Sequence, residues 1–325
     1  MTLQQMRYLD AIAEAGSINK AAESLYVSQP SLTAAIQEVE REVGFAIFHR
    51  SGRGVTPTAD GQELILYARQ VLIQYETLSE RFMQPGGRKK RFGVSTQHYS
   101  FAVKAFVNMV RAYDTATYDF AIRETRTQDV IRDVAGLISE VGILYLSDFN
   151  RPVISKLLTS NGLTFFPLAR CKAYVYISRS HPLADHSAIS MAELADYPCL
   201  SFEQGPGASF YFAEEILTTR EYPRTIHTTD RATNLNLMIA LNAYTLCSGV
   251  ISEELNGPEY IAVPFQSDDE NQNSVMEIGY ITRKNALLTE PGQRYVEEIR
   301  KYLHAHAERR ESGFAPTAAV ITYFQ

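Results

Sequence analysis

The sequence is short of cysteine. Its three residues, Cys171, Cys199 and Cys247, are an odd number with no CxxC spacing and no histidine cluster beside them. That argues against a disulfide framework and a thiolate metal site, and leaves reduced, buried thiols as the expectation. No stretch approaches the roughly 18 uncharged apolar residues of a bilayer-spanning helix. The opening MTLQQMRYLDAIAEAG carries acids where a secretory leader would be basic and then apolar, so a cytoplasmic chain is expected. An excess of positive charge is missing as well: the net charge is −6. Residues 1–91 hold 11 Lys+Arg against 10 Asp+Glu and the rest 20 against 27, so the acid lies outside the first segment and bulk charge does not argue for nucleic acid. Catalytic signatures are lacking: there is no GxSxG, P-loop, HExxH or GxGxxG after a strand. His181 opens a turn with Pro182, and His304 and His306 decorate a terminal helix. No catalytic residue, metal ligand or cofactor is therefore assigned.

What is present is ample material for a core. Hydrophobic residues make up 45% and charged residues 21% of 325 positions, a globular balance in a chain long enough for two or three compact units. Leu3, Met6, Leu9, Ile12 and Ala13 recur at helical spacing up to Gly16, and a second short helix runs from about Ile18 to Tyr26. Ser28 then serves as N-cap, with Pro30 in the first turn, for a third helix whose apolar stripe is Leu32, Ala35, Ile36 and Val39, ending at Gly44. Two helices joined by a tight turn, the second with a polar N-terminal face, make a helix-turn-helix. FAIFHRSGRGVTPTADG follows as an apolar entry, a glycine turn carrying Arg50 and Arg53, and a return, the pattern of a β-wing. From Pro57 to Met83 a stripe of Leu64, Tyr67, Ala68, Val71, Leu72, Tyr75, Leu78 and Phe82 predicts a helix that pairs with a second copy. Residues 84–87 and the basic run 88–91 mark a hinge.

Beyond the hinge, strands and helices alternate, so an α/β fold with a mostly parallel sheet is expected. The strands are RFGVST, YDFAIRET, EVGILYL, FFPLAR, KAYVYIS, CLSFEQ, TIHTTD, AYTLCSG and VMEIGYIT, with helices over 98–113, 130–137, 209–217, 231–242 and 289–307. The divisions are 1–58, a winged helix-turn-helix; 59–87, a linker helix and hinge; 88–307, two lobes, with lobe I built from 88–163 and 265–307 and lobe II from 164–264; and 308–325, a tail without a clear place.

The order of parts resembles a LysR-type transcriptional regulator. The residues that carry the likeness are AAESLYVSQPSLTAAIQEVEREVGFAIFHR and VTPTADG, then VGILYL, SRSHPLADHSAISMAELADYPCL and DRATNLN. It spans roughly residues 1–307. One departure is Thr56-Pro57-Thr58, where the family places Leu-Thr. STQHYSF is similar to a subgroup that regulates amino-acid and sulfur metabolism. The resemblance implies a winged helix-turn-helix on double-stranded DNA, dimerisation through the linker helix, a periplasmic-binding-protein-like regulatory domain with a small-molecule effector between its lobes, a homotetramer reading an interrupted dyad, and RNA polymerase as a further partner. A small-molecule-binding or enzymatic α/β domain fused to a DNA-tethering module is the alternative.

The chemistry at the corresponding positions agrees. Gln29 offers donors and an acceptor to a base edge, while Ser28, Ser31 and Thr33 reach phosphates or a thymine methyl, with Pro30 structural beside them. Arg50 and Arg53 are candidate phosphate contacts. For the effector, the carboxyl ends of the strands present free N–H groups. Ser95, Thr96, Gln97 and His98 lie there, as do Thr125, Arg126 and Thr127, Phe202 and Glu203, and Ser248 and Gly249. Arg126 suits a ligand carboxylate. Capping of their own helices serves the hydroxyl residues equally well.

Overall fold

A computed structural model describes residues 1–51, 54–82, 89–113, 117–217, 222–266, 275–311 and 322–323. The chain divides into two units, Met1–Arg88 and Lys89–Gln325.

In the first unit side-chain caps and left-handed residues set the helix ends. Thr2 and Gln5 form a reciprocal capping box at the start of α1 (Leu3–Ala15), which Gly16 ends at φ 59°. Ser17 caps α2 (Ile18–Ser24). This helix stops two residues short of the predicted end, because Tyr26 enters the left-handed region at φ 55°. Ser28 accepts from the Ser31 N–H at 3.2 Å to open α3 (Gln29–Val43), which closes on Gly44 at φ 83°. Strands β1 (Phe48–Ser51) and β2 (Gly54–Pro57) pair antiparallel as the wing, and α4 runs Ala59–Phe82. Leu9, Ile12, Ala21, Leu32, Ile36, Val39, Ile47, Val55 and Ile65 form one core, against which Leu25 and Val27 of the turn between α2 and α3 pack.

The second unit is two-lobed α/β. Lobe I contains β3 (Lys90–Thr96), α5 (Ser100–Arg111), β4 (Tyr118–Glu124), α6 (Thr127–Ala135), β5 (Val141–Leu146), α7 (Arg151–Ser160) and β6 (Leu163–Lys172). Lobe II follows with β7 (Tyr174–Ser178), β8 (Ile189–Ser190), β9 (Cys199–Phe202), β10 (Thr225–Thr228), α8 (Arg231–Ala240), β11 (Thr245–Cys247), α9 (Glu253–Asn256) and β12 (Tyr260–Gln266). The chain returns to lobe I with β13 (Val275–Arg283), α10 (Glu290–Glu311) and β14 (Thr322–Tyr323). The lobe I sheet has the order β14-β6-β13-β5-β3-β4, parallel among β4, β3 and β5 and antiparallel where β13 meets β5 and β6. Every residue of β5 is buried, as a central strand covered on both faces requires. Lobe II has a sheet of order β11-β7-β12-β8 and a parallel β9-β10 pair.

Besides the lobe I sheet, which is mixed rather than mostly parallel because β13 pairs antiparallel with β5 and β6, and β14 with β6, three expectations change. First, β6 belongs to the lobe I sheet, so the first crossing lies at Ala173 rather than at residue 163; residues 265 and 266, expected in lobe I, belong to β12 of lobe II, and 267–274 lie outside the described residues. Second, α7 was not anticipated. Third, the helix expected over 209–217 is a single 3-10 turn, Phe210–Phe212. Its periodicity was helical, but Glu214 and Glu215 turn inward, 5% and 3% exposed, and Leu217 sits at φ 66°. The tail contributes β14, which pairs with Arg170 and Ala169 of β6, while 312–321 lie outside the described residues.

Candidate functional site

The α3 end presents Ser28, Gln29, Pro30 and Ser31 to solvent, with Thr33 half-buried. Their order comes from the helix itself. Ser28 Oγ lies 2.7 Å from Ser31 Oγ, and Gln29 Nε2 donates to Thr33 Oγ1 at 3.1 Å, which extends the Gln29 amide along the helix. Arg50 is exposed on β1, and Arg53 lies outside the described residues. One residue sequence reasoning passed over is Tyr26, 97% exposed in the turn before α3. On α4, Ile65, Ala68 and Leu72 are buried, whereas Tyr67, Val71 and Leu78 stand exposed.

In the second unit the residues at the strand ends are divided. Ser95 is turned into lobe I, donating to Asp133 Oδ2 at 2.5 Å with Ser139 Oγ at 2.9 Å, and Thr96 donates to the Gln97 carbonyl at 2.8 Å. Neither lines the cleft. Gln97 is a buried hub: Nε2 donates to Thr127 Oγ1 at 2.6 Å, and Oε1 accepts from Tyr99 Oη at 2.8 Å and from the Tyr145 N–H at 3.2 Å. Thr125 donates its N–H to the Thr96 carbonyl at 2.9 Å.

Thr127, Arg126, His98, Phe202 and Glu203 bridge the lobes. Thr127 donates its hydroxyl to the Phe212 carbonyl at 2.7 Å and its N–H to Gln204 Oε1 at 3.0 Å. Arg126, expected to hold a ligand carboxylate, lies 3.5 Å from Glu203 instead. His98 stacks flat on Phe202, ring centroids 4.0 Å apart, and meets Glu214 through both its N–H and its Nδ1, at 2.8 and 2.9 Å. Burial disfavours the charged imidazole, yet the hydrogen bond and field of Glu214 outweigh it, and the His98 pKa is raised. Glu215 accepts from the Phe202 N–H at 2.7 Å and from Ser201 at 3.2 Å; burial pushes its carboxyl up to about 7.

Sequence reasoning missed Gln204, Glu214, Glu215 and Arg231. Arg231, first residue of α8, lies 3.2 Å from Glu124 of lobe I and donates to Asn256 Oδ1 at 3.0 Å. Between these bridges lies a cleft of about 70 Å3 lined by His98, Phe202, Glu214, Arg231, Asn234 and Ser248, among others. Ser248 faces it, while Gly249, at φ 72°, borders a separate groove with Lys104 and Tyr302. Cys171 and Cys199 are buried, and burial pushes the Cys199 thiol up to about 12; Cys247 is only half-buried and lines the cleft. Among the described residues no group of three His, Cys, Asp or Glu is placed to hold a metal, and no helix is long and apolar enough to cross a membrane.

Residues 3–62 match the family described as "Bacterial regulatory helix-turn-helix protein, lysR family", and residues 116–304 match "LysR substrate binding domain". The chain is similar to the uncharacterized HTH-type transcriptional regulator YnfL of Escherichia coli K12, 28% identical over 213 residues, covering 64% of this chain and 68% of that protein. It is also similar to the uncharacterized HTH-type transcriptional regulator YvbU of Bacillus subtilis 168, 25% identical over 260 residues, covering 78% and 82%. Among solved structures, a full-length OxyR variant from Pseudomonas aeruginosa aligns with a TM-score of 0.64 at 19% identity, covering 94% of this chain and 95% of that one, a likeness of fold.

Proposed function

The chain belongs to the lysR family of DNA-binding transcriptional regulators, and on that premise we propose that Gln29, Ser28, Ser31 and Thr33 read base edges and phosphates in a major groove, with Arg50 and Arg53 on the flanking backbone. The observation that carries this reading is the exposed first turn of α3, whose Gln29 amide keeps its oxygen and one N–H free of the helix it stands on. The exposed stripe Tyr67, Val71 and Leu78 supports pairing of two α4 helices, and hence a dimer on a site with dyad symmetry; a homotetramer follows if the regulatory domains supply a second contact. The inter-lobe cleft, bridged by ion pairs that a ligand can exchange, supports a small-molecule effector whose binding changes the lobe angle and so the spacing of the DNA-reading heads. RNA polymerase is the partner through which that change acts. The reading assigns the chain to the cytoplasm, where its DNA lies, and gives it no reaction to catalyse and no cofactor.

The test is fluorescence anisotropy on duplex DNA across a salt series. Binding weakens linearly in log salt, with a slope set by the number of phosphates contacted. Gln29→Ala keeps that slope but loses discrimination between sites by about 1–3 kcal/mol. Unchanged discrimination removes Gln29 from the readout.

A further inference from the structure

We propose that Glu214 is an internal ligand: its carboxylate occupies the seat in the cleft that a carboxylate effector takes, so that effector binding is an exchange of one carboxylate for another. This rests on the reading of the cleft as the effector site and deepens it by naming the chemistry of the effector and the group it displaces.

The seat has the composition of a carboxylate receptor. Glu214 Oε2 accepts from the His98 N–H at 2.8 Å and sits 2.9 Å from the imidazole Nδ1, and Oε1 accepts from Gln204 Nε2 at 2.8 Å. A main-chain N–H, an imidazole and an amide therefore converge on one carboxylate, and none of the three belongs to the segment that supplies it. The imidazole is fixed from behind by the Phe202 ring. His98 and Gln204 themselves come from opposite lobes, so whatever fills the seat ties the lobes together.

The supplier stands outside regular secondary structure. Glu214 follows a 3-10 turn and belongs to no helix or strand, although the spacing of Phe210, Ala213 and Leu217 suits a helix. Turning Glu214 and Glu215 inward costs the segment its helical hydrogen bonds, and the donors around the two carboxylates offset that loss. Glu215 has a separate pair of donors, Ser201 and the Phe202 N–H, and stays in place when Glu214 leaves. The cleft of about 70 Å3 opens directly onto the seat, with the Glu214 carboxylate part of its lining. Replacing one buried carboxylate by another conserves both the charge facing His98 and the count of hydrogen bonds, so the exchange avoids the cost of an unpaired buried cation. What changes is the Glu214 side chain, which leaves the cleft when the ligand enters.

The experiment uses the full chain and the probes acetate and propionate. Glu214→Ala vacates the seat, and its melting temperature rises saturably with acetate or propionate relative to chloride at equal ionic strength, with at least tenfold tighter apparent binding than wild type. Adding His98→Phe abolishes the rise. Glu214→Gln, which keeps the volume and removes the charge, gives the same ordering and serves if the alanine variant does not fold. Equal affinity in wild type and both variants, or no saturable rise in any of them, overturns the proposal. No DNA is present in this assay. A filled seat with DNA binding indifferent to carboxylate leaves the exchange standing and refutes the cleft as an effector site.

Discussion

Thr127→Val tests whether the lobes are closed by the hydrogen bonds described above rather than by packing alone. Valine has the shape of threonine, so the substitution removes a hydroxyl and little else. That hydroxyl is 2.6 Å from Gln97 Nε2 and 2.7 Å from the Phe212 carbonyl, and the residue is 2% exposed. Both partners are left without it, Gln97 in a buried site and Phe212 in a half-buried one. Each orphaned buried group costs about 1–3 kcal/mol, so the pair costs roughly 3 kcal/mol after partial relaxation. In a unit of this size that lowers the melting temperature by roughly 6–12 °C. The chain has no tryptophan, so tyrosine fluorescence in urea follows the transition, and the midpoint falls with an unchanged slope. Thr127→Ser, which restores the hydroxyl, recovers most of the loss. A change below about 0.5 kcal/mol in Thr127→Val, with the slope unaltered, refutes the reasoning, since surface substitutions produce shifts of that size.

Further consequences follow from single residues. Glu215 titrates near 7 in the folded chain against an ordinary 4.5, so the native state binds its proton more tightly; that stability is fully present below about 4.5 and is lost as pH rises through about 7. The loss amounts to about 3 kcal/mol, and Glu215→Gln flattens it in urea titrations at pH 5 to 8; an unchanged fall contradicts the assignment. Gly61→Ala places a Cβ 2.0 Å from the Ile47 carbonyl oxygen, where α4 meets the start of the wing. Overpacking there destabilises the first unit by about 1–3 kcal/mol, seen as an early loss of helical circular dichroism; a neutral result shows that α4 can shift away.

Local features were the most legible. The capping pattern of Ser28, the helix stop at Gly44 and the stripe Leu32, Ile36 and Val39 are all encoded within a turn or two of the residues they concern, and α3 follows from them. The β6 strand was legible as a strand but not as a member of lobe I, because its pairing with β13 joins Leu163 to Arg283 and leaves no local trace. The α7 helix was passed over because Pro152 in its first turn and the polar Ser155, Lys156 and Thr159 mask a buried pair, Ile154 and Leu158. At the site, the strand-end rule located Gln97, His98, Arg126 and Thr127 but not what they face. Glu214 reaches His98 from 116 residues away and Arg231 reaches Glu124 from 107, distances over which spacing carries no information. The same rule brought in Ser95 and Thr96, which the chain engages within lobe I.

The most direct measurement of the central claim is selection of duplexes from a random pool by the full chain, with Gln29→Ala alongside. The account predicts enrichment of an interrupted dyad by the wild type and loss of base preference within its half-sites by the variant, with phosphate-driven affinity retained. Recovery of the same enriched sequence by both proteins, or of no sequence by either, contradicts the assignment of α3 as the element that reads DNA.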